Sequence, residues 1–255
     1  MKTNNKNYKL KKKAVELSLI YSFFNQYLSS AIHIGHKSLK LRNAWHVSMA
    51  NSILGTRNNS CILTVDRTLS FLIRALYVLA LVLRSNGDIL IVNNNSDFSS
   101  VLKQAQKKFP SFQIAYSDNK WIGGLLTNWN QILPSAKKLV IFAQRFDDYI
   151  TRNNMHLPRY KKWKLCFQGF INLNHNNLNY HFSKKPALIF VFNPNESKNV
   201  IQEAFHLKIP VIAITDSNTD VSIITYPIPA NNQSIFFSWF CLNWILKIDR
   251  HLQNK

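Results

Sequence analysis

Asn119-Lys120-Trp121-Ile122-Gly123-Gly124-Leu125-Leu126-Thr127-Asn128-Trp129 is the stretch on which the fold turns. A cation and an aromatic ring lead into two adjacent glycines, and a helix-like run follows. Paired glycines permit positive φ and let another group come close to the backbone. Lys120 sets a charge beside the flat ring of Trp121, and Trp129 adds a second ring. Strand and helix signals alternate on the N-terminal side of this block, and a very basic segment follows it. It therefore marks the junction between a folded core and a projecting arm.

Before the block, Ile62–Val65 suggests a short strand, and Asp66 or Thr68 can cap a helix that runs through Leu83. Gly87 stands just beyond, where a helix commonly ends in left-handed backbone. Asp88–Asn93 is an apolar strand, Ser96 or Asp97 can open a helix to Phe109, and Ile114–Tyr116 is another strand. After Thr127 the strand pattern is lost until Ser183. Two helical pieces are expected there, around Ile132–Ile150 and Arg159–Ile171, with an Asn-rich loop over Asn172–Asn179. Strands then return at Ala187–Phe192 and Pro210–Thr215, around a helix at Lys198–His206. A Pro-rich turn, Tyr226-Pro227-Ile228-Pro229, precedes a last helix from about Gln233 to Leu252.

Short, wholly apolar strands alternating with helices predict an α/β fold with a mainly parallel sheet covered on both faces. The division expected is a basic arm over residues 1–13, a core from 14–126 and 184–255, and an inserted helical hairpin over 127–183. Ala14–Leu28 reads as a helix with one broad apolar face.

Across 255 residues, 32 Lys and Arg face 12 Asp and Glu, for a formal charge of +20. A folded chain with that balance points to a polyanion. Lys37, Lys40 and Arg42 cluster, with Arg57 near them. Lys137, Lys138, Arg145, Arg152, Arg159, Lys161, Lys162 and Lys164 stud the insertion, with Tyr160 and Trp163 among them. Cations beside aromatics suit phosphates and exposed bases. An anionic membrane is the other polyanion. However, the most apolar run, Leu69–Leu83, is shorter than a span needs and is broken by Arg74. Ala14–Leu28 carries Glu16 and no lysine, unlike a membrane-surface helix.

The three cysteines, Cys61, Cys166 and Cys241, are far apart and suit a reducing compartment. His33, His36 and His46 lack a carboxylate or thiol neighbour at metal-site spacing, so no metal and no cofactor is expected. Asn93-Asn94-Asn95-Ser96 could meet a phosphate at a helix start, or be a plain turn. Asp216 and Asp220 suit Mg²⁺ binding, but with Ser217 and Asn218 between them they suit a turn equally well. No Gly-rich phosphate loop is present. An enzyme acting on a nucleotide or phosphosugar is the alternative reading.

Four blocks in order carry a family likeness. They are Ala31-Ile32-His33-Ile34-Gly35-His36; Gly55-Thr56-Arg57-Asn58; Lys120 through Asn128; and Ile209 through Asp220 with Tyr226-Pro227-Ile228-Pro229-Ala230-Asn231. The chain resembles small-subunit ribosomal protein two of the bacterial and organellar type. That resemblance implies a flavodoxin-like, doubly wound sheet with a projecting helical hairpin, and no catalysis. It implies binding to small-subunit ribosomal RNA between head and body, beside neighbouring small-subunit proteins, and no homo-oligomer. His33, Gly35, His36, Lys120, Trp121, Gly123, Gly124, Asn128, Asp216, Pro227 and Pro229 fall on its motif positions. The family's Trp-Asn-Pro-Lys-Met run is replaced by Leu41-Arg42-Asn43-Ala44-Trp45, and its acids after the Pro-x-Pro segment by Asn232 and Gln233. Such drift, and a bias toward Asn, Lys, Ile and Phe, fit an A/T-rich organellar genome whose product needs no presequence. The mitochondrion is expected, with the plastid as alternative. The expected RNA contacts are Lys37, Lys40, Arg42, Arg57, Lys120, Trp121, Asn128, Arg159, Lys161, Lys162 and Lys164.

Overall fold

The computed structural model describes residues 30–37, 46–108, 111, 113–118, 121–153, 155–160, 171–174, 177–180 and 184–253. The arm over 1–13, the helix expected at Ala14–Leu28, Cys166, and the cations Lys40, Arg42, Lys120, Lys161, Lys162 and Lys164 lie outside these residues. The described elements run β1 (Ile34–Lys37), β2 (Ile53–Arg57), β3 (Ser60–Leu63), α1 (Val65–Arg84), β4 (Ile89–Val92), α2 (Ser99–Lys108), β5 (Ile114–Ser117) and α3 (Trp129–Arg152). They continue with β6 (Ile171–Asn174), β7 (Asn177–Tyr180), β8 (Leu188–Val191), α4 (Lys198–His206), β9 (Val211–Thr215), β10 (Tyr226–Pro229) and α5 (Ile235–Gln253).

Five strands make one parallel sheet in the order β10-β9-β8-β4-β5. Counted along the chain this is 2-1-3-4-5, the flavodoxin-like order, with its switch point between β4 and β8. Strands buried on both faces must be apolar at every position. Ile89-Leu90-Ile91-Val92 and Leu188-Ile189-Phe190-Val191 meet that demand and are fully buried. The two-residue period then sorts the side chains. Ile89, Ile91, Ile114, Tyr116, Leu188, Phe190, Ile212 and Ile214 pack with α1, α2 and α5. Leu90, Val92, Ala115, Ile189, Val191, Val211 and Ala213 pack on the other face with α4 and with Trp121, Leu125, Leu126 and Trp129. The Trp-Gly-Gly block thus shares with α4 the covering of one sheet face.

Four local expectations are corrected. The first concerns α1, which starts after Thr64 instead of at Asp66 or Thr68. At its far end Asn86, with φ 56°, takes the left-handed conformation expected of Gly87. Asn86 and Gly87 N–H close back onto the Leu83 and Val82 carbonyls. Gly87 is needed for space instead, since a Cβ there would lie 2.7 Å from Val82 Cγ1.

The second concerns the strand expected at Ile62–Val65. Beside the single strand expected there, β1, β3 and β2 form an antiparallel ribbon. Third, the Pro-rich turn is instead β10, a parallel edge strand. An edge position asks for ladder bonds on one side only, which tolerates the missing N–H of Pro227 and Pro229.

Fourth, strand structure does not disappear in the insertion. β6 and β7 pair antiparallel in the register Ile171↔Tyr180 and Leu173↔Leu178. Asn alternates there with Ile, Leu and Tyr at the two-residue period of a strand, and β7 lies against α3. Of the expected second helix, residues 158–160 are helical, Ile171 belongs to β6, and 161–170 lie outside the described residues.

Candidate nucleic-acid interface

At the centre of the Trp-Gly-Gly block sits a residue that motif reading passes over. Glu203, in the middle of α4, is 8% exposed. Its Oε1 accepts from the indole Nε1–H of Trp121 at 3.0 Å and from Gly124 N–H at 2.8 Å. Its Oε2 accepts from Leu126 N–H at 2.8 Å and Thr127 N–H at 3.3 Å. Consecutive amides turned inward make a nest for an anion, and here the anion is the chain's own carboxylate. A buried charge needs such compensation, and four donors supply it. Gly124 takes φ +90°, with the Asn128 side chain 2.9 Å from where a Cβ would stand. Asn128 is exposed and its N–H donates to Gly124 O at 2.9 Å, leading the chain into α3.

Trp121, expected as an RNA contact, instead has its ring buried against α4. The two glycines divide the tasks that the sequence assigns to the pair. Gly124 supplies the backbone angle. Gly123 has an ordinary angle and nothing within 4 Å of a would-be Cβ, and it is exposed.

A second junction joins two motifs that lie far apart in sequence. Asp216, at the end of β9, is buried, and its Oδ1 accepts from His36 N–H at 3.1 Å and from Ser217 N–H. Burial raises its pKa, and the amides of Ser217 and His36 oppose that rise. A Cβ on Gly35 would lie 2.8 Å from that oxygen, so glycine lets β1 cross over the strand end. His33 contributes its carbonyl to Leu63 N–H at 2.8 Å. Asp220 is exposed and receives Ser222 N–H at 3.0 Å, which is the first cause of its lowered pKa. The two aspartates thus serve separate backbone turns. Pro229 O accepts from the Thr68 hydroxyl, tying β10 to α1.

The remaining strand ends are laced by short polar side chains where a doubly wound sheet would take a ligand. Asn93 donates to Asp118 Oδ1 at 2.9 Å, and Asn94 to Glu196 O at 3.0 Å. Asn232 donates to Asn193 Oδ1 at 3.1 Å, and Asn195 to Asn218 Oδ1 at 2.9 Å. No group of three or more possible metal ligands occurs among the described residues. Cys61 and Cys241 are buried, and burial pushes both thiols up.

The cations stand outside these networks. In the ribbon, Ser60 of β3 is paired with Lys37 on one side and Arg57 on the other. Directly opposed residues share a face, so the two exposed cations form a row spanning about 10 Å. Arg159 is exposed beyond α3. Along α3, Lys137, Lys138, Arg145 and Arg152 are exposed too, while Ala136, Leu139 and Ala143 are buried.

Fold and surface together define an α/β scaffold whose motifs lock its own junctions and whose cations face outward. Comparison with known proteins agrees with that class. The family described as Ribosomal protein S2 matches residues 27–247. The chain is 32% identical over 201 residues to the small ribosomal subunit protein uS2m of Marchantia polymorpha, covering 76% of this chain and 79% of that one. It is 30% identical over 211 residues to small ribosomal subunit protein uS2 of Chelativorans sp. (strain BNC1), covering 82% and 74%. The same identity to uS2 of Rickettsia typhi extends over 215 residues. The chain belongs to the ribosomal protein S2 family, and its role is that of a structural constituent of the small ribosomal subunit.

Proposed function

We propose that this chain binds small-subunit ribosomal RNA between head and body, as a non-catalytic brace in the mitochondrial ribosome. The observation that carries the reading is a division of labour. The polar groups of the motifs turn inward onto Glu203 and Asp216, while Lys37, Arg57, Arg159 and the cations of α3 face outward. Lys40, Arg42, Lys120, Lys161, Lys162 and Lys164 are assigned to the same RNA from their place in the sequence alone. Asn128 and the open position of Gly123 stand at the root of α3, where RNA backbone can come close. Neighbouring small-subunit proteins are the other partners, and the protein acts as a single copy. No helix among the described residues is long and apolar enough to cross a membrane.

The mitochondrial assignment is supported by the likeness to uS2m and by the Asn-, Lys- and Ile-rich composition. Fractionation of cells with an antibody to the protein tests it, and recovery with plastid ribosomes would overturn it. RNA binding is tested by titrating the full chain with small-subunit RNA at several salt concentrations. Each neutralised phosphate contributes a slope of about −0.7 to −0.9 in log K against log salt. A steep negative slope is expected, and a flat one would overturn the RNA reading.

A further inference from the structure

The outer side of α3 carries an alternation that neither a packed helix nor a plain solvated face requires. Lys138, Phe142, Arg145, Tyr149 and Arg152 follow one another at steps of four, three, four and three residues. That spacing keeps all five in one stripe on the helix surface, and all five are exposed. Phe142 is 46% exposed and Tyr149 52%.

The rings are held in a ladder. Phe142 stacks on Phe146 at 4.7 Å and 30°, and Phe146 on Tyr149 at 6.1 Å and 17°. Tyr160 meets Phe142 and Phe146 edge-on, at 6.1 Å and 5.2 Å. Its hydroxyl donates to Asp147 Oδ1 at 3.0 Å, which pins this buttress. The half-exposed rings Phe142 and Tyr149 are the two ends of the ladder.

We infer that the Lys138–Phe142–Arg145–Tyr149–Arg152 stripe is a docking surface for an unpaired segment of RNA. The inference rests on the RNA-binding reading above and names the part of the RNA that this surface takes. An apolar protein helix would call for an uninterrupted apolar stripe. Alternating charge and ring matches a partner that alternates phosphate and flat base. A duplex hides its bases and would leave the rings unused. At about 1.5 Å per residue, each seven-residue cation–ring repeat is about 10 Å long. That is close to three stacked nucleotides at about 3.4 Å each.

The test uses the full chain with fluorescent oligouridylate and an RNA duplex of equal length, read by anisotropy. The double variant Phe142→Ala/Tyr149→Ala is expected to weaken oligouridylate binding by about tenfold or more, with duplex binding changed by less than about twofold. Phe142→Leu/Tyr149→Leu keeps the apolar bulk and should show the same selective loss, while Phe142→Trp/Tyr149→Trp should retain affinity. Arg145→Ala should weaken both RNAs. Unchanged oligouridylate binding by both ring-deleted variants overturns the inference, as does an equal loss on the two RNAs. Unchanged binding joined to lost incorporation into subunits would mark the stripe as a protein-docking face instead. If the parent chain binds duplex alone, this inference fails and RNA binding stands; if it binds neither RNA, both fail.

Discussion

Glu203 is the residue on which the Trp-Gly-Gly junction depends. Hydrogen bonds to a charged group contribute about 1.5–3 kcal/mol each, and they do not add. Glu203→Ala leaves an indole N–H and three amides without their acceptor, so a loss near 3 kcal/mol is expected in urea unfolding. A loss under about 1 kcal/mol would mean that the loop holds itself. The paired glycines give a sharper contrast. Gly124→Ala forces a side chain into positive φ and should cost about 1–2 kcal/mol. Gly123→Ala meets open space, so the melting temperature should be unchanged while incorporation into subunits falls. Equal effects of the two substitutions would contradict the division of tasks between them. The importance of the block was legible from its glycines, but its organiser was not. Glu203 lies 82 residues from Trp121, in a helix of mixed polar and apolar residues where one acid looks unremarkable. The same distance hides the reason for Gly35, whose constraint is an aspartate 180 residues on from His36.

At the scale of elements, apolar runs announced four of the five parallel strands, β4, β5, β8 and β9, because burial on both faces leaves little choice of residue. The ribbon and the β6–β7 pair were less visible. Their strands are four or five residues long and carry Lys, Arg, Thr or Asn, so side-chain pattern is weak and pairing decides. β10 was obscured by its two prolines, which local rules assign to a turn and only an edge position explains. The ribbon carries a prediction of its own. Lys37→Glu/Arg57→Glu reverses a row of charge that no described packing uses. RNA affinity should fall across sequences alike, while the melting temperature stays within about 2 °C, as surface changes generally allow. A large drop in melting temperature with RNA affinity intact would make these cations part of the fold. α3 differs again, because its first turn is anchored through Trp129 in the core and it also lies against β7. That leaves one side of it for a partner.

For the whole molecule, the balance of 32 basic against 12 acidic residues was the plainest signal in the sequence, and it bears on partners more than on fold. The fold answers a different demand, which is to bury two sheet faces. One face uses three helices, and the other uses α4 with the Trp-Gly-Gly block. The strand ends that could have held a nucleotide are instead bridged by asparagines. What results, among the described residues, is a scaffold whose motifs face inward and whose Lys37, Arg57, Arg159 and α3 cations are exposed. The most direct test is sedimentation of tagged full-length protein from gently lysed cells, in a gradient where intact small subunits are resolved. The tagged chain should travel with the small subunit and leave it as salt is raised. A chain that stays at the top of the gradient at low salt, beside intact subunits, would contradict the account.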